Sequence, residues 1–275
     1  SILTFVSAAA PAPSSAPLMP SRKANSSEPT GLRLSQAGFH YKEHNLETLL
    51  NGFTLDVPKG CFPLSTDSML LGWFAKLPKS ARVLDLGSGC GTLGLLLCAR
   101  DSSCRVTGIE LTHESHRAAL DNIARNALAD RMESICADVR QVPSLVSPGS
   151  FTTLLSNPPY FSGGPQSSAL PLARREDCCS VRELLHSAAW ALKYGGDFFL
   201  VHRPERLGEI IAQAGAFHLE AKRLCLVRHG PGKDVSLILL QLRKGGKPGL
   251  AFEELSLTDE AGQPSREYKS IYHIE

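Results

Sequence analysis

The run Arg82-Val-Leu-Asp85-Leu-Gly87-Ser-Gly89-Cys-Gly91 decides the fold. Arg82 to Leu86 has the length and apolar content of a buried strand. Three glycines at alternate positions follow, and Gly91 to Arg100 is apolar enough for a helix packed behind that strand. A strand, a glycine turn and a helix open a βαβ unit. The alternation continues downstream. Strands are expected at Arg105–Glu110, Met132–Ala137, Phe151–Ser156 and Asp197–His202. Helices are expected at His113–Ala127, with Ala118, Ala119, Ile123 and Ala127 inward, at Val181–Leu192, stopped by Gly195-Gly196, and from Pro204 to about Gly215. Upstream, Phe53–Val57 alternates as a strand, and Ser68–Lys76 is a helix with Thr66 as its expected N-cap. Ala221–Arg228 and Val235–Leu242 have no helix between them and predict an antiparallel pair. The whole pattern predicts an α/β fold, a doubly wound, mostly parallel sheet of seven strands with that antiparallel pair at the C-terminal end. Ligands of such sheets bind at the carboxyl ends of the strands.

Composition bounds the rest. The 275 residues are 43% hydrophobic and 20% charged, enough for a sizeable core. The net charge of +2 excludes a globally basic nucleic-acid protein, so an anionic partner needs a local patch. No apolar stretch is long enough for a bilayer, and no membrane association is expected. Eight scattered cysteines without a Cys-x-x-Cys pair argue for reduced thiols in a cytoplasmic protein and against a zinc ribbon. Residues 1–30 hold seven Ser, six Ala and five Pro and are expected to be a disordered tail, with one domain over 31–275. Ile2–Ala10 lacks the preceding basic residues of a secretory leader, and Met19 is a candidate start by position.

Glu110 and Asp138 close the second and third strands, where the first can accept ribose hydroxyls and the second can reach an adenine amino group. Two cofactors compete for this end. Gly89-Cys-Gly91-Thr-Leu-Gly94 satisfies the dinucleotide fingerprint, with Glu110 at a suitable distance. Asp85, two residues before the first glycine, tilts the choice. A carboxylate there repels a pyrophosphate and welcomes the ammonium of S-adenosylmethionine. A structural turn with no ligand is the third reading.

Asn157-Pro158-Pro159-Tyr160 follows the fourth strand. Taken alone it is ordinary loop punctuation. After a strand end, downstream of the glycine loop, it gains a chemical sense. Two prolines stiffen the loop and hold the Asn157 side-chain carbonyl and the Pro158 backbone carbonyl in place. Two acceptors aimed at one point suit an NH2 group such as adenine N6, a poor nucleophile that such hydrogen bonds assist. Tyr160 can stack on the target base, which must swing out to reach it.

These motifs resemble the class I S-adenosylmethionine-dependent methyltransferases that carry Asn-Pro-Pro-Tyr. Phe62–Leu71, Arg174-Arg-Glu176, Val201-His-Arg-Pro204 and Lys244-Gly-Gly-Lys-Pro248 narrow the likeness to the bacterial tRNA1(Val) adenine-N6 methyltransferases, in particular the Gram-positive branch, over Gly31–Tyr272. The resemblance implies a Rossmann-like fold and methylation of adenosine 37, just 3′ of the anticodon. It implies that Thr66, Asp67, Asp85, Gly87, Gly89, Gly91, Glu110, Asp138 and Asn157 hold the cofactor. Asn157, Pro158 and Tyr160 would then hold the target amine. A protein glutamine, whose amide also offers NH2, is the alternative substrate. The long N-terminal helical domain usual in such enzymes has no room here. A non-catalytic RNA-binding member of the fold is the third possibility.

Residues 222–247 carry seven basic residues and one acidic one. With Arg174 and Arg175, and with Arg203 on the same expected face, Arg228, Lys233, Lys244 and Lys247 are the candidate tRNA contacts. His113 and His116 lie three apart without a third ligand, so no metal is expected, and a monomer is the favoured state. The polar segment Arg266–Tyr272 either folds over the site or hangs free.

Overall fold

The computed structural model describes residues 44–49, 52–158 and 179–273. The expected tail 1–30, Pro159, Tyr160, Arg174 and Arg175 lie outside the described residues. The chain divides into Ser1–His40 and Tyr41–Glu275, and only the second unit contains described residues.

That unit opens with a hairpin, β1 (His44–Thr48) against β2 (Thr54–Pro58). The helices α1 (Thr66–Phe74), α2 (Thr92–Arg100) and α3 (His113–Arg125) then alternate with strands β3 (Arg82–Leu86), β4 (Arg105–Glu110) and β5 (Met132–Cys136). A 3-10 turn and the short α4 (Val142–Leu145) lead to β6 (Phe151–Ser156). After it come α5 (Val181–Ala191), β7 (Leu192–His202), α6 (Leu207–Gly215), β8 (Leu219–Arg228), β9 (Val235–Lys244), β10 (Ala251–Ser256) and α7 (Arg266–Tyr272). The main sheet has the order β10-β8-β9-β7-β6-β3-β4-β5. All neighbours are parallel except β9, which runs against both β7 and β8. The doubly wound fold with its antiparallel pair is therefore as expected, but the sheet has eight strands rather than seven.

Strand alternation sorts the core into two layers. Val83, Val106, Leu155 and Phe199 face the layer that also contains residues of α1, α2, α3, α7 and the hairpin. Leu84, Ile109, Leu154 and Phe198 face α4, α5 and α6. Helix α2 is buried from Thr92 to Ala99, which accounts for its all-round apolar sequence. Helix α3 is amphipathic, with Ala118, Ala119, Asn122 and Ile123 buried.

Four local expectations need correction. The N-cap of α1 is Ser65, whose hydroxyl accepts the Ser68 N–H, not Thr66. Ala127 lies past the end of α3 at φ +53° and is exposed, and Asn122 takes the inward place. Gly195-Gly196 does not stop α5, which ends at Ala191, but lies within β7. A Cβ at Gly196 would sit 2.8 Å from the Thr152 carbonyl, so close strand approach explains this glycine. Pro204 begins a 3-10 turn, and α6 starts only at Leu207.

Candidate functional site

The same alternation assembles the site. Asp85 is in register with Leu155 on one side and Gly108 on the other. Register partners in a parallel sheet share a face, so Asp85 points to the α1 side with Leu155. Glu110 is two residues beyond Gly108, and Asn157 two beyond Leu155. All three therefore converge at the carboxyl ends of adjacent strands on one face. Strand spacing and rise put Asp85 and Asn157 about 8 Å apart.

Asp85 is 1% exposed, and neither carboxylate oxygen has a hydrogen-bond partner. Burial, with a smaller contribution from the negative charge of Glu110, pushes its carboxyl up to about 7. Two buried orphan acceptors are costly, and their presence points to a ligand that donates to them. The Ser88 hydroxyl in the glycine loop is also buried without a partner among the described residues. Gly87 and Gly89 adopt φ +81° and +55°, and the space a Cβ would take at each is open. Gly91 is different. A Cβ there would meet Met132 Cε at 2.8 Å, so its missing side chain serves the packing of the loop.

Glu110 stitches the glycine loop to the end of β4. Its Oε2 accepts the Gly89 N–H at 2.9 Å, and its Oε1 accepts the Thr112 N–H and hydroxyl, both at 2.8 Å. Oε2 keeps one lone pair for a further donor. Use of both oxygens by a ribose requires the Thr112 hydroxyl to turn away. Asp138 stands just past β5, as its place in the sequence implies. There it caps the 3-10 turn Val139–Gln141 and grips the Arg140 guanidinium through both oxygens. Arg140 holds that carboxyl below the usual carboxylate range and competes with any adenine amino group.

Asn157 donates from Nδ2 to the Ser68 hydroxyl in α1 at 3.0 Å, leaving Oδ1 as the acceptor. Pro158 is buried. Thr66 and Asp67 lie in the first turn of α1, and Tyr272 of α7 lies beside Thr66. Arg266–Tyr272 thus folds onto the start of α1 as a helix, and Tyr268 stacks on Tyr272 at 4.3 Å. The roles of Ser68 and Arg140 escaped the sequence reading, which named the segment ending at Tyr272 but not that residue. Serine in a helix and tyrosine in a polar tail carry no local signal of the site they touch.

The basic segment is split by strand direction. The parallel strands carry the site at their carboxyl ends. Because β9 runs the other way, its end residues Arg243 and Lys244, with Lys222 and Lys247, sit at the opposite end of the sheet. There Arg243 pairs with Asp197 at 2.8 Å, and Lys244 donates to the carbonyls of Ala189 and Leu192. Lys222 donates to the Lys247 carbonyl. Arg223 pairs with Glu253 at 2.7 Å and lies over the Phe74 ring. Arg203, Arg228 and Lys233 are at the site end, with Lys233 exposed. The expectation of one continuous basic face including Lys244 and Lys247 is thereby corrected. His113 and His116 also part company, the first against Cys136 Sγ at 3.3 Å and the second against the Ser134 hydroxyl at 2.8 Å.

Residues 65–214 match the methyltransferase small domain. The chain belongs to that methyltransferase family. A tRNA1(Val) (adenine(37)-N6)-methyltransferase of Photobacterium profundum is 30% identical over 218 residues, 77% of this chain and 90% of the relative. The protein of the same name from Bacteroides thetaiotaomicron is 30% identical over 222 residues, covering 80% and 92%. Among solved structures, a predicted O-methyltransferase from Agrobacterium tumefaciens superposes with a TM-score of 0.64 at 24% identity, covering 76% of this chain and 96% of that one. That likeness is one of fold. The cofactor of this methyltransferase is S-adenosylmethionine, and the residues present fit it. The unpartnered Asp85 carboxylate matches an ammonium, and the bare backbone at Gly87 and Gly89 admits a ligand at close range. Among the described residues, no group of His, Cys, Asp and Glu suits a metal ion, and no helix is long and apolar enough to cross a membrane.

Proposed function

We propose that this methyltransferase modifies the exocyclic N6 amine of an adenosine in tRNA, adenosine 37 of tRNA1(Val) in the case its relatives suggest. The observation that carries the reading is Asn157. Its amide is tied through Nδ2 to Ser68, so its oxygen is free at the strand end that also holds the orphan carboxylate of Asp85. The names of the relatives support the same substrate.

S-adenosylmethionine supplies an electrophilic methyl carbon on a sulfonium. Asp85 would receive the ammonium, the glycine loop at Gly87 and Gly89 would leave room for the ligand, and Glu110 would accept a ribose hydroxyl. Asn157 Oδ1 and the Pro158 carbonyl accept the two N–H bonds of the target amine. This holds the nitrogen lone pair toward the methyl carbon and stabilises the positive charge that develops as the N–C bond forms. With the cofactor bound, the new N–C bond would form as its carbon–sulfur bond broke, and the methylated nitrogen would give one proton to water. Tyr160 supplies a face for the base. Arg203, Arg228 and Lys233 meet phosphates near the site, and Arg174 and Arg175 belong to the same proposal.

The test is nucleoside mass spectrometry of unmodified tRNA incubated with the protein and S-adenosylmethionine. N6-methyladenosine is expected in tRNA, and its absence from every tRNA removes the proposal. Asn157→Ala is expected to fold and still bind the cofactor and to lose roughly 100- to 1,000-fold in kcat.

A further inference from the structure

An asparagine side chain has nearly the same shape with its amide turned either way, but its chemistry reverses. With Oδ1 forward, Asn157 accepts an N–H from the incoming amine. With Nδ2 forward, it sets one NH2 against another. Some neighbour must choose between the two. The neighbour in place is Ser68, 4% exposed, whose hydroxyl oxygen lies 3.0 Å from Asn157 Nδ2. A hydroxyl can donate as well as accept, so Ser68 discriminates only if its own proton is engaged elsewhere. Ser65 can meet that need, by accepting the Ser68 proton rather than donating its own. Its hydroxyl oxygen lies 3.3 Å from the Ser68 hydroxyl and already accepts the Ser68 N–H as the helix N-cap. With the Ser68 proton directed to Ser65, the Ser68 oxygen is left as an acceptor for Asn157.

We infer that Ser68 is a positioning residue, which sets the Asn157 amide with its oxygen toward the substrate nitrogen. This rests on the role given to Asn157 above. The serine never touches substrate. It acts through one hydrogen bond, and the helix cap of α1 polarises that bond.

The experiment is a double-mutant cycle on the full chain, with methyl transfer to unmodified tRNA and S-adenosylmethionine affinity measured for each variant. Ser68→Ala is expected to lower kcat about tenfold, the worth of one hydrogen bond that orders a reacting group, with cofactor affinity unchanged. On the Asn157→Ala background the same substitution is expected to change nothing, because the amide it orients is gone. An equal loss on both backgrounds, or an unchanged kcat in Ser68→Ala, overturns the inference. A second measurement does not depend on the substrate. In the nuclear magnetic resonance spectrum of the cofactor-free protein, the Asn157 Nδ2 protons are expected to exchange with water faster in Ser68→Ala than in the parent. Equal exchange also overturns the inference. A parent protein that methylates no tRNA, yet shows this difference in exchange, removes the proposed substrate and leaves the role of Ser68 standing.

Discussion

Asp85 joins the stability of the protein to its ligand. Its carboxyl is pushed up to about 7, mainly by burial, so the folded, cofactor-free protein retains a proton that the unfolded chain loses near 3.8. Between those two values the native state binds more protons than the unfolded one. Stability therefore falls as pH rises through that window. The ammonium of S-adenosylmethionine selects the ionised form, so cofactor affinity is expected to rise with pH up to about 7 and then to level, as titration calorimetry at several pH values would show. Asp85→Asn is expected to weaken the cofactor about 10- to 100-fold while making the cofactor-free protein more stable at pH 8, by on the order of 2–4 kcal/mol. A variant that loses stability at that pH would contradict the buried, unpaired state of this carboxylate. Asp85 and Asn157 could be singled out in the sequence because each lies at or just past the carboxyl end of an apolar strand. The commitment of Asp138 to Arg140 was not, since a short turn after a strand has many possible partners.

The hairpin β1–β2 attaches to the domain through a device that belongs to helix α3. Asn122 accepts the Asp56 N–H and donates to the Asp56 carbonyl, at 2.8 and 2.9 Å. One turn later Asn126 does the same to Thr54, at 2.8 and 2.7 Å. Two amides four residues apart on a helix thus reproduce a strand's alternation of acceptor and donor, and close the free edge of β2. Asn122 is fully buried and also donates to the Cys90 carbonyl in the glycine loop. Asn122→Ala leaves these backbone groups unpaired and is expected to cost about 2–4 kcal/mol in urea denaturation, with looser cofactor binding. Asn126, only partly buried, is expected to cost less. In the sequence, Asn122 looks like a polar interruption of an amphipathic face. Its partners lie more than 60 residues away or in the glycine loop, and only packing brings them to it.

At the scale of the molecule, sheet direction decides which charges can serve the site. The ten residues of β9 span roughly 30 Å, so Lys222 and Lys247 stand at the far end from Asn157. Replacing Arg228 and Lys233 together by alanine is expected to weaken tRNA about tenfold and to flatten the salt dependence of binding, measured by fluorescence anisotropy across a salt series. Replacing Lys222 and Lys247 is expected to leave both unchanged, and the opposite ranking would place the RNA at the far edge. The eighth strand, β10, also belongs to this scale. Ala251-Phe-Glu-Glu-Leu-Ser has little apolar alternation, and it becomes a strand because the exposed edge of β8 offers it a backbone ladder. What the chain declares by itself is local: apolar runs of strand or helix length, glycines at a turn, and polar residues where a strand stops. Covalent proximity and steric limits set those features within a few residues. The orientation of the Asn157 amide, the end of the sheet that each lysine occupies and the last strand at the edge depend on groups brought together from distant positions. Only the packed tertiary structure decides them, because hydrogen-bond partners and register do not exist until the sheet is formed.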